Sequence, residues 1–375
     1  MAEGPLARLR ARWRGWRNAR LADPAFQDWA ARFAPTRRTA RAEAEELYDI
    51  VAGFVYSQTL FACVELGVLE RLAPGPMETP ALAAAIGLSA ERTDRLARAA
   101  ASLRLLEPAG EDAWALGPRG AAALGAPGVA EMVRHHALFY RDLADPAALL
   151  RGETEPALAR FWAYVGGRRT HDLDPETAAA YSRLMAASQA MVAAETLAAA
   201  PLKGVRRLLD VGAGEGAFLE AALRATPGLA GVAFDLPAVA DRARARFAAA
   251  GLADRAEAVG GSFLDGPLPA GCDAASLVRV LYDHDDPVVE ALLARVREAL
   301  PPGGLLVVSE PMAGGARPSR SGDAYFGFYT LAMGTGRPRS PARHAALLAA
   351  AGFGDIRPRA TRQRFVTGVV TARRR

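Results

Sequence analysis

The side chains best suited to polar chemistry sit at the ends of apolar runs in the C-terminal half. Asp210 ends Arg207-Leu208-Leu209-Asp210, Asp235 ends Gly231-Val232-Ala233-Phe234-Asp235, and Glu310 follows Val307-Val308-Ser309. Between them lie Arg279 and the run Tyr282-Asp283-His284-Asp285-Asp286. Directly after Asp210 come three alternating glycines, Gly212, Gly214 and Gly216, and then a helix-like segment. Glycines there let the backbone approach a ligand where any Cβ would collide. His284 has the ordinary pKa closest to neutrality, so with Tyr282 and Glu310 it is a candidate for handling a proton.

Two ligands suit a strand, glycine turn and helix start. One is a dinucleotide, whose pyrophosphate rests on the helix N-terminus. The other is S-adenosylmethionine, whose amino acid and ribose would lie in the turn. Asp210 favours the second, because a carboxylate attracts an ammonium group and repels a phosphate. Asp235 lies where a ribose diol is held in either case.

Those strand ends need a sheet to hold them. Candidate strands are 207–211, 231–235, 256–259, 273–279, 304–309 and 364–372, with helices between them. The alternation specifies an α/β fold, a Rossmann-like doubly wound sheet over about 201–375. Ligands of such sheets bind at the C-terminal strand ends, where Asp210, Asp235, Ser262, Arg279 and Glu310 all fall. Residues 46–124 read as three helices and a hairpin, a winged-helix pattern. The helix opened by Ser89 carries Arg92, Arg95 and Arg98 among alanines. That content suits dimerisation better than DNA reading, so a nucleic-acid partner is not expected. Residues 125–200 read as linking helices. Tyr181, Met185 and Gln189 recur there at helical spacing and could form a pocket wall. His135 and His136 are adjacent, so they point to different sides of a helix and do not share a metal; they read as a packed or solvated pair, or with one of them lining a pocket.

Residues 1–45 form a basic arm. Arg8, Arg10, Arg12, Arg14, Arg17 and Arg20 surround Trp13 and Trp16. Such an arm suits either an anionic membrane surface or a partner subunit. The 375-residue chain has room for more than one domain, and 51% of it is hydrophobic. No uninterrupted apolar run reaches the eighteen or so residues needed to span a bilayer, and no secretory segment stands out, so a cytoplasmic location is expected, with peripheral membrane contact through the arm. Cys63 and Cys272 are too few for a disulfide framework or a cysteine metal site. The net charge of +5 rests almost wholly on arginine, with Lys203 the only lysine.

Five stretches carry a family resemblance. They are Leu209-Asp210-Val211-Gly212-Ala213-Gly214-Glu215-Gly216, Phe234-Asp235-Leu236-Pro237, Gly261-Ser262-Phe263-Leu264, Val280-Leu281-Tyr282-Asp283-His284 and Ser309-Glu310-Pro311. In this order they resemble the motifs of the S-adenosylmethionine-dependent O-methyltransferases that include plant phenolic and bacterial polyketide enzymes. The resemblance implies a winged-helix dimerisation domain, a homodimer and no metal. It also implies that Gly212, Gly214 and Gly216 line the methionine moiety, Asp235 and Leu236 the ribose, and Ser262 and Phe263 the adenine, with Arg279 bordering the cofactor. The family's catalytic His position holds Tyr282, its Trp position His284, and its supporting Glu position Pro338.

The stretches Phe139-Tyr140-Arg141-Asp142-Leu143-Ala144-Asp145-Pro146 and Asp323-Ala324-Tyr325-Phe326 are similar to the carotenoid hydroxyl O-methyltransferases of purple phototrophic bacteria. That likeness implies a hydrophobic pigment as methyl acceptor, with Tyr325 in its pocket and S-adenosylhomocysteine as product. Other readings of the same residues are a phenolic or polyketide acceptor, C-methylation of a chlorin pigment, a nicotinamide oxidoreductase, and a DNA-binding cofactor sensor.

Overall fold

The computed structural model describes residues 5–162 and 188–375. The chain divides into two compact units, one up to Ala121 and one from Ala122 to Arg375.

In the first unit, α1 (Pro5–Leu21) and α2 (Pro24–Arg32) precede the 29-residue α3 (Arg37–Glu65). Asp23 starts α2 by accepting a hydrogen bond from the Ala25 amide at 2.9 Å, with Pro24 in the first turn. α3 spans the 45/46 boundary between the arm and the helical unit without interruption. Its apolar residues are interleaved with Gly53, Ser57, Gln58 and Thr59. By length and composition it could nevertheless cross a bilayer, and 17% of its most apolar window is buried. Ile50 is 74% and Phe54 69% exposed within the chain.

After α4 (Val68–Leu72) come β1 (Met77–Glu78), α5 (Thr79–Ile86), α6 (Ala90–Ser102), β2 (Leu106–Pro108) and β3 (Ala113–Leu116). The strands form a small antiparallel sheet in the order β1-β3-β2, the wing expected from the sequence plus one further strand. Ser89 caps α6 through the Arg92 amide, and the Trp114 indole donates to Thr79 Oγ1 at 3.2 Å.

The second unit contains α7 (Pro118–Gly125) in part, then α8 (Val129–Asp142), α9 (Pro146–Arg151), α10 (Ala157–Phe161) and α11 (188–199). The large sheet follows, with β4 (Arg207–Val211), α12 (Ala217–Ala225), β5 (Ala230–Asp235), α13 (Pro237–Ala249), β6 (Ala256–Gly260), β7 (Ala274–Val278), α14 (Asp286–Ala299) and β8 (Leu305–Glu310). A π-helical segment, Arg320–Phe326, leads into α15 (Gly327–Met333). Then α16 (Pro341–Ala350), β9 (Phe353–Arg359) and β10 (Gly368–Arg374) complete the chain.

The strand order is β6-β5-β4-β7-β8-β10-β9, parallel except where antiparallel β10 joins β8 and β9. Successive strand residues face opposite sides. Leu209, Val232 and Leu277 enter one core, while Leu208, Ala233 and Val278 enter the other. The chain runs outward through β5 and β6 and then returns to place β7 beside β4. Such a switch opens a crevice at the C-terminal ends of β4 and β7.

Candidate active site

The glycine turn begins at the end of β4. Gly212 and Gly214 have φ of +68° and +56°, in the left-handed region that favours glycine. A Cβ on Gly214 would meet nothing within 4 Å, so that part of the turn is open to a ligand. Gly216 differs: a Cβ there would lie 2.4 Å from the Phe247 ring. It lets α12 approach α13, which corrects its assignment to ligand contact.

Asp210 is buried. One of its oxygens accepts from Ser276 Oγ at 2.7 Å, and the other finds no partner among the described residues. Burial, with the nearby Asp235 charge, pushes its carboxyl up to about 7. A cationic ligand group would supply the missing partner and favour ionisation. Asp235 braces the turn, accepting from the Gly214 amide at 2.7 Å and from the Leu236 amide at 2.7 Å. Beyond β6 lies a cavity of about 520 Å³, lined by Phe234, Val259, Gly261, Ser262 and Leu268. Its apolar lining fits a flat aromatic ring. An open glycine turn, a braced acid and this slot together fit the amino acid, ribose and adenine of S-adenosylmethionine.

On the other side of the crevice, Leu281–Asp283 form a single 3₁₀ turn after β7. The buried Glu310 accepts from the amides of Val280 at 3.0 Å, Leu281 at 2.8 Å and Tyr282 at 3.4 Å. Burial raises its carboxyl to about 7. These bonds make Glu310 the anchor of the turn and correct its assignment as a catalytic group. Its side chain is committed to backbone donors that a turn start leaves unsatisfied.

Arg279, with φ of +58°, sends its guanidinium to Ser188 Oγ at 2.7 Å and to the Tyr282 hydroxyl. Its partners therefore place it beside the 3₁₀ turn that carries Tyr282. Tyr282 is buried, and burial with the nearby Asp283 pushes its phenol well up. A phenol held protonated in this way is poorly suited to act as a base. Asp283, hydrogen-bonded to Tyr282, is also raised well above the usual carboxylate range by burial and by Glu310. His284 lies elsewhere: its ring meets Phe263 edge-on at 5.4 Å, on the side of the Ser262 slot. Burial, with Arg339 nearby, lowers its pKa.

Facing Arg279 is an aromatic wall built by α8, α10, the π-helical segment and α15. His135 Nε2 lies 2.7 Å from the Tyr329 hydroxyl, and the Trp162 indole donates to the same hydroxyl at 2.9 Å. His136 Nε2 lies 2.8 Å from the Tyr325 hydroxyl. The Phe326 ring meets Tyr282 edge-on at 5.9 Å and Tyr325 at 4.9 Å, which makes the wall continuous with the turn. Of the expected pocket residues, Tyr325 is in this wall. Gln189 is half-buried on α11, and Tyr181 and Met185 lie outside the described residues. His135, His136 and Tyr329 were not assigned to the site from the sequence. Their adjacency and their spacing, 135/136 against 325/329, were the only signals.

The fold and site define a methyltransferase of the S-adenosylmethionine-binding type. Residues 140–354 match the model of an O-methyltransferase domain, and residues 48–124 that of an O-methyltransferase dimerisation domain. The chain is 54% identical over 347 residues to demethylspheroidene O-methyltransferase of Cereibacter sphaeroides, covering 92% of this chain and 91% of that protein. It is 48% identical to the enzyme of the same name from Rhodobacter capsulatus over 340 residues, covering 90% and 84%. Among solved structures, human N-acetylserotonin methyltransferase in complex with SAM superposes with a TM-score of 0.73 at 27% identity, over 88% of this chain and 97% of that one. A methyltransferase of calicheamicin biosynthesis in its SAH-bound form gives 0.76 at 28%, over 89% and 98%. The chain belongs to the S-adenosylmethionine-dependent O-methyltransferase family with an N-terminal dimerisation domain.

Proposed function

We propose that this enzyme methylates the tertiary hydroxyl of an acyclic hydroxycarotenoid, the reaction type of spheroidene formation. The observation that carries the reading is the 54% identity to a demethylspheroidene O-methyltransferase across 92% of the chain. The aromatic wall agrees with an apolar polyene. Incubation with labelled S-adenosylmethionine and a pigment extract should label a carotenoid methyl ether. Label confined to a chlorin pigment, or to added phenols, would overturn the substrate.

In this reading Gly212, Gly214 and Asp210 hold the methionine end, Asp235 and Leu236 the ribose, and Ser262 and Phe263 the adenine. The bound donor supplies a methyl group on a positively charged sulfur. The chain's own task is alignment in a dry site. The wall of Phe139, Tyr325, Phe326 and Tyr329 excludes water from the acceptor, and Tyr282, oriented by Arg279, positions the hydroxyl.

The exposed apolar face of α3 is read as the homodimer contact, since the first unit leaves Leu47, Ile50, Val51 and Phe54 uncovered. Sedimentation should give twice the 39.5 kDa chain mass, and Ile50→Glu with Phe54→Glu should give the monomer. A wild-type monomer at micromolar concentration would sink this.

The arm is read as a membrane contact. On α1, Leu6, Leu9, Trp13 and Trp16 share one helical face, with Arg10, Arg12 and Arg17 beside it, Arg20 at its C-terminal end and no acidic residue in the helix. None of its residues is buried. Arginines next to an indole stripe suit anionic headgroups, at about 1 kcal/mol per charge near the surface. The protein should co-sediment with anionic vesicles and be released by salt, and Trp13→Ser with Trp16→Ser should weaken the binding. Equal sedimentation of that double variant would leave the arm without this role.

A further inference from the structure

We infer that the Tyr325–His136 pair takes the proton from the substrate hydroxyl, replacing the base that the family carries where Tyr282 stands here. This rests on the O-methylation of an alcohol proposed above.

Tyr282 is a buried phenol tied to Arg279, and Glu310 is occupied by three amides. Asp283 is buried and hydrogen-bonded to Tyr282, and burial with Glu310 raises its carboxyl well above the usual carboxylate range. His284 packs on Phe263, on the other side of the crevice. A proton acceptor must therefore come from the facing wall.

Two histidine–tyrosine pairs stand there, and they differ. The Tyr329 hydroxyl already accepts from the Trp162 indole, which leaves its own proton directed at His135. His135 is buried, and burial holds it at about 4, so this pair is a fixed neutral brace. The Tyr325 hydroxyl lies 2.8 Å from His136 Nε2, with the weaker acceptor Met132 Sδ at 3.7 Å; Tyr325 and His136 are only half-buried, and Phe326 joins Tyr325 to Tyr282 through successive edge contacts. Arg279 hydrogen-bonds Tyr282, and its charge also reaches Tyr325 and Tyr329. A substrate hydroxyl oriented by Tyr282 would have Tyr325 as its neighbour.

The substrate oxygen forms its bond to the methyl carbon as the carbon–sulfur bond breaks, and the sulfur keeps that electron pair. The hydroxyl proton passes to Tyr325 Oη, whose own proton passes to His136 Nε2. The positive charge lost from sulfur ends on the imidazolium, and His136, being half-buried, returns the proton to water. A strong base is unnecessary, because the alcohol becomes strongly acidic as the new bond forms. Burial lowers the pKa of His136, which keeps it neutral and able to accept at neutral pH. The groups facing it are Tyr325 from the π-helical segment, with Tyr329 and Arg279 beyond, and His135 and Tyr140 on its own helix.

The test compares wild type, His136→Gln and Tyr325→Phe on the carotenoid hydroxyl. Wild-type turnover of that substrate tests the substrate reading, and the variants measured against it test the relay alone. Each variant should lose about 100-fold or more in kcat, as loss of a general base does. Affinity for S-adenosylhomocysteine by calorimetry should stay within about twofold, which also reports that the variants fold. Wild-type kcat should fall as pH drops through a pKa below the ordinary His value, and His136→Gln should lose that limb. An unchanged acid limb in His136→Gln, or a Tyr325→Phe enzyme within about threefold of wild type, would overturn the relay.

Discussion

Asp235→Ala should weaken S-adenosylmethionine binding about ten- to a hundredfold. Hydrogen bonds to a charged group contribute about 1.5–3 kcal/mol, and each 1.4 kcal/mol is a factor of ten. Two effects act together. The proposed carboxylate–diol contact is lost, and the Gly214 and Leu236 amides lose the acceptor that shapes the open part of the turn. Asp235→Asn separates them: it keeps an acceptor for one amide but removes the charge, so its loss should be intermediate. Calorimetry with S-adenosylhomocysteine reads both variants. Unchanged affinity in Asp235→Ala would remove it from the ribose site.

Much of the second unit was legible because buried parallel strands read as short apolar runs, and acids closing them mark the crevice. β9 was missed for a related reason. It is an edge strand carrying Asp355, Arg357, Pro358 and Arg359, residues that protect an edge and erase the apolar signal. Glu310 shows a different limit. An acid at a strand end looks chemical in sequence, and only the 3₁₀ turn reveals the amide donors that occupy it. For His135 and His136, adjacency implied separate partners, and the structure gives them Tyr329 and Tyr325. Those partners lie 194 and 189 residues away, a separation that helical periodicity does not reach. Gly216 belongs to the glycine motif by spacing, yet the Phe247 ring that requires it is 31 positions on (247 − 216).

Asp286→Ala should destabilise the second unit by about 3–5 kcal/mol, because it strands a buried cation. The Arg339 side chain is 2% exposed and lies 2.7 Å from Asp286, which also pairs with Arg337 at 2.7 Å and Arg343 at 2.6 Å. Arg339 donates to the carbonyls of Leu281 at 2.6 Å and His284 at 2.7 Å, so Asp286 holds the turn carrying Tyr282 through it. The nearby buried His344 offers no negative charge, its pKa pushed down to about 3 by burial and by Arg339. A loss of this size lowers the unfolding midpoint by roughly 10 °C in a unit this large. Turnover should fall with it, since Tyr282 loses its placement. The three arginines hold the Asp286 carboxyl at about 2, below its ordinary value. A depressed carboxylate contributes stability above its unfolded pKa and loses it as pH falls through the folded one. Asp286→Asn should therefore be less stable than wild type at neutral pH, with the gap closing between about pH 4 and pH 2. Thermal unfolding across that range reads the gap. An Asp286→Ala protein within about 1 kcal/mol of wild type would mean that Arg339 holds the turn without it.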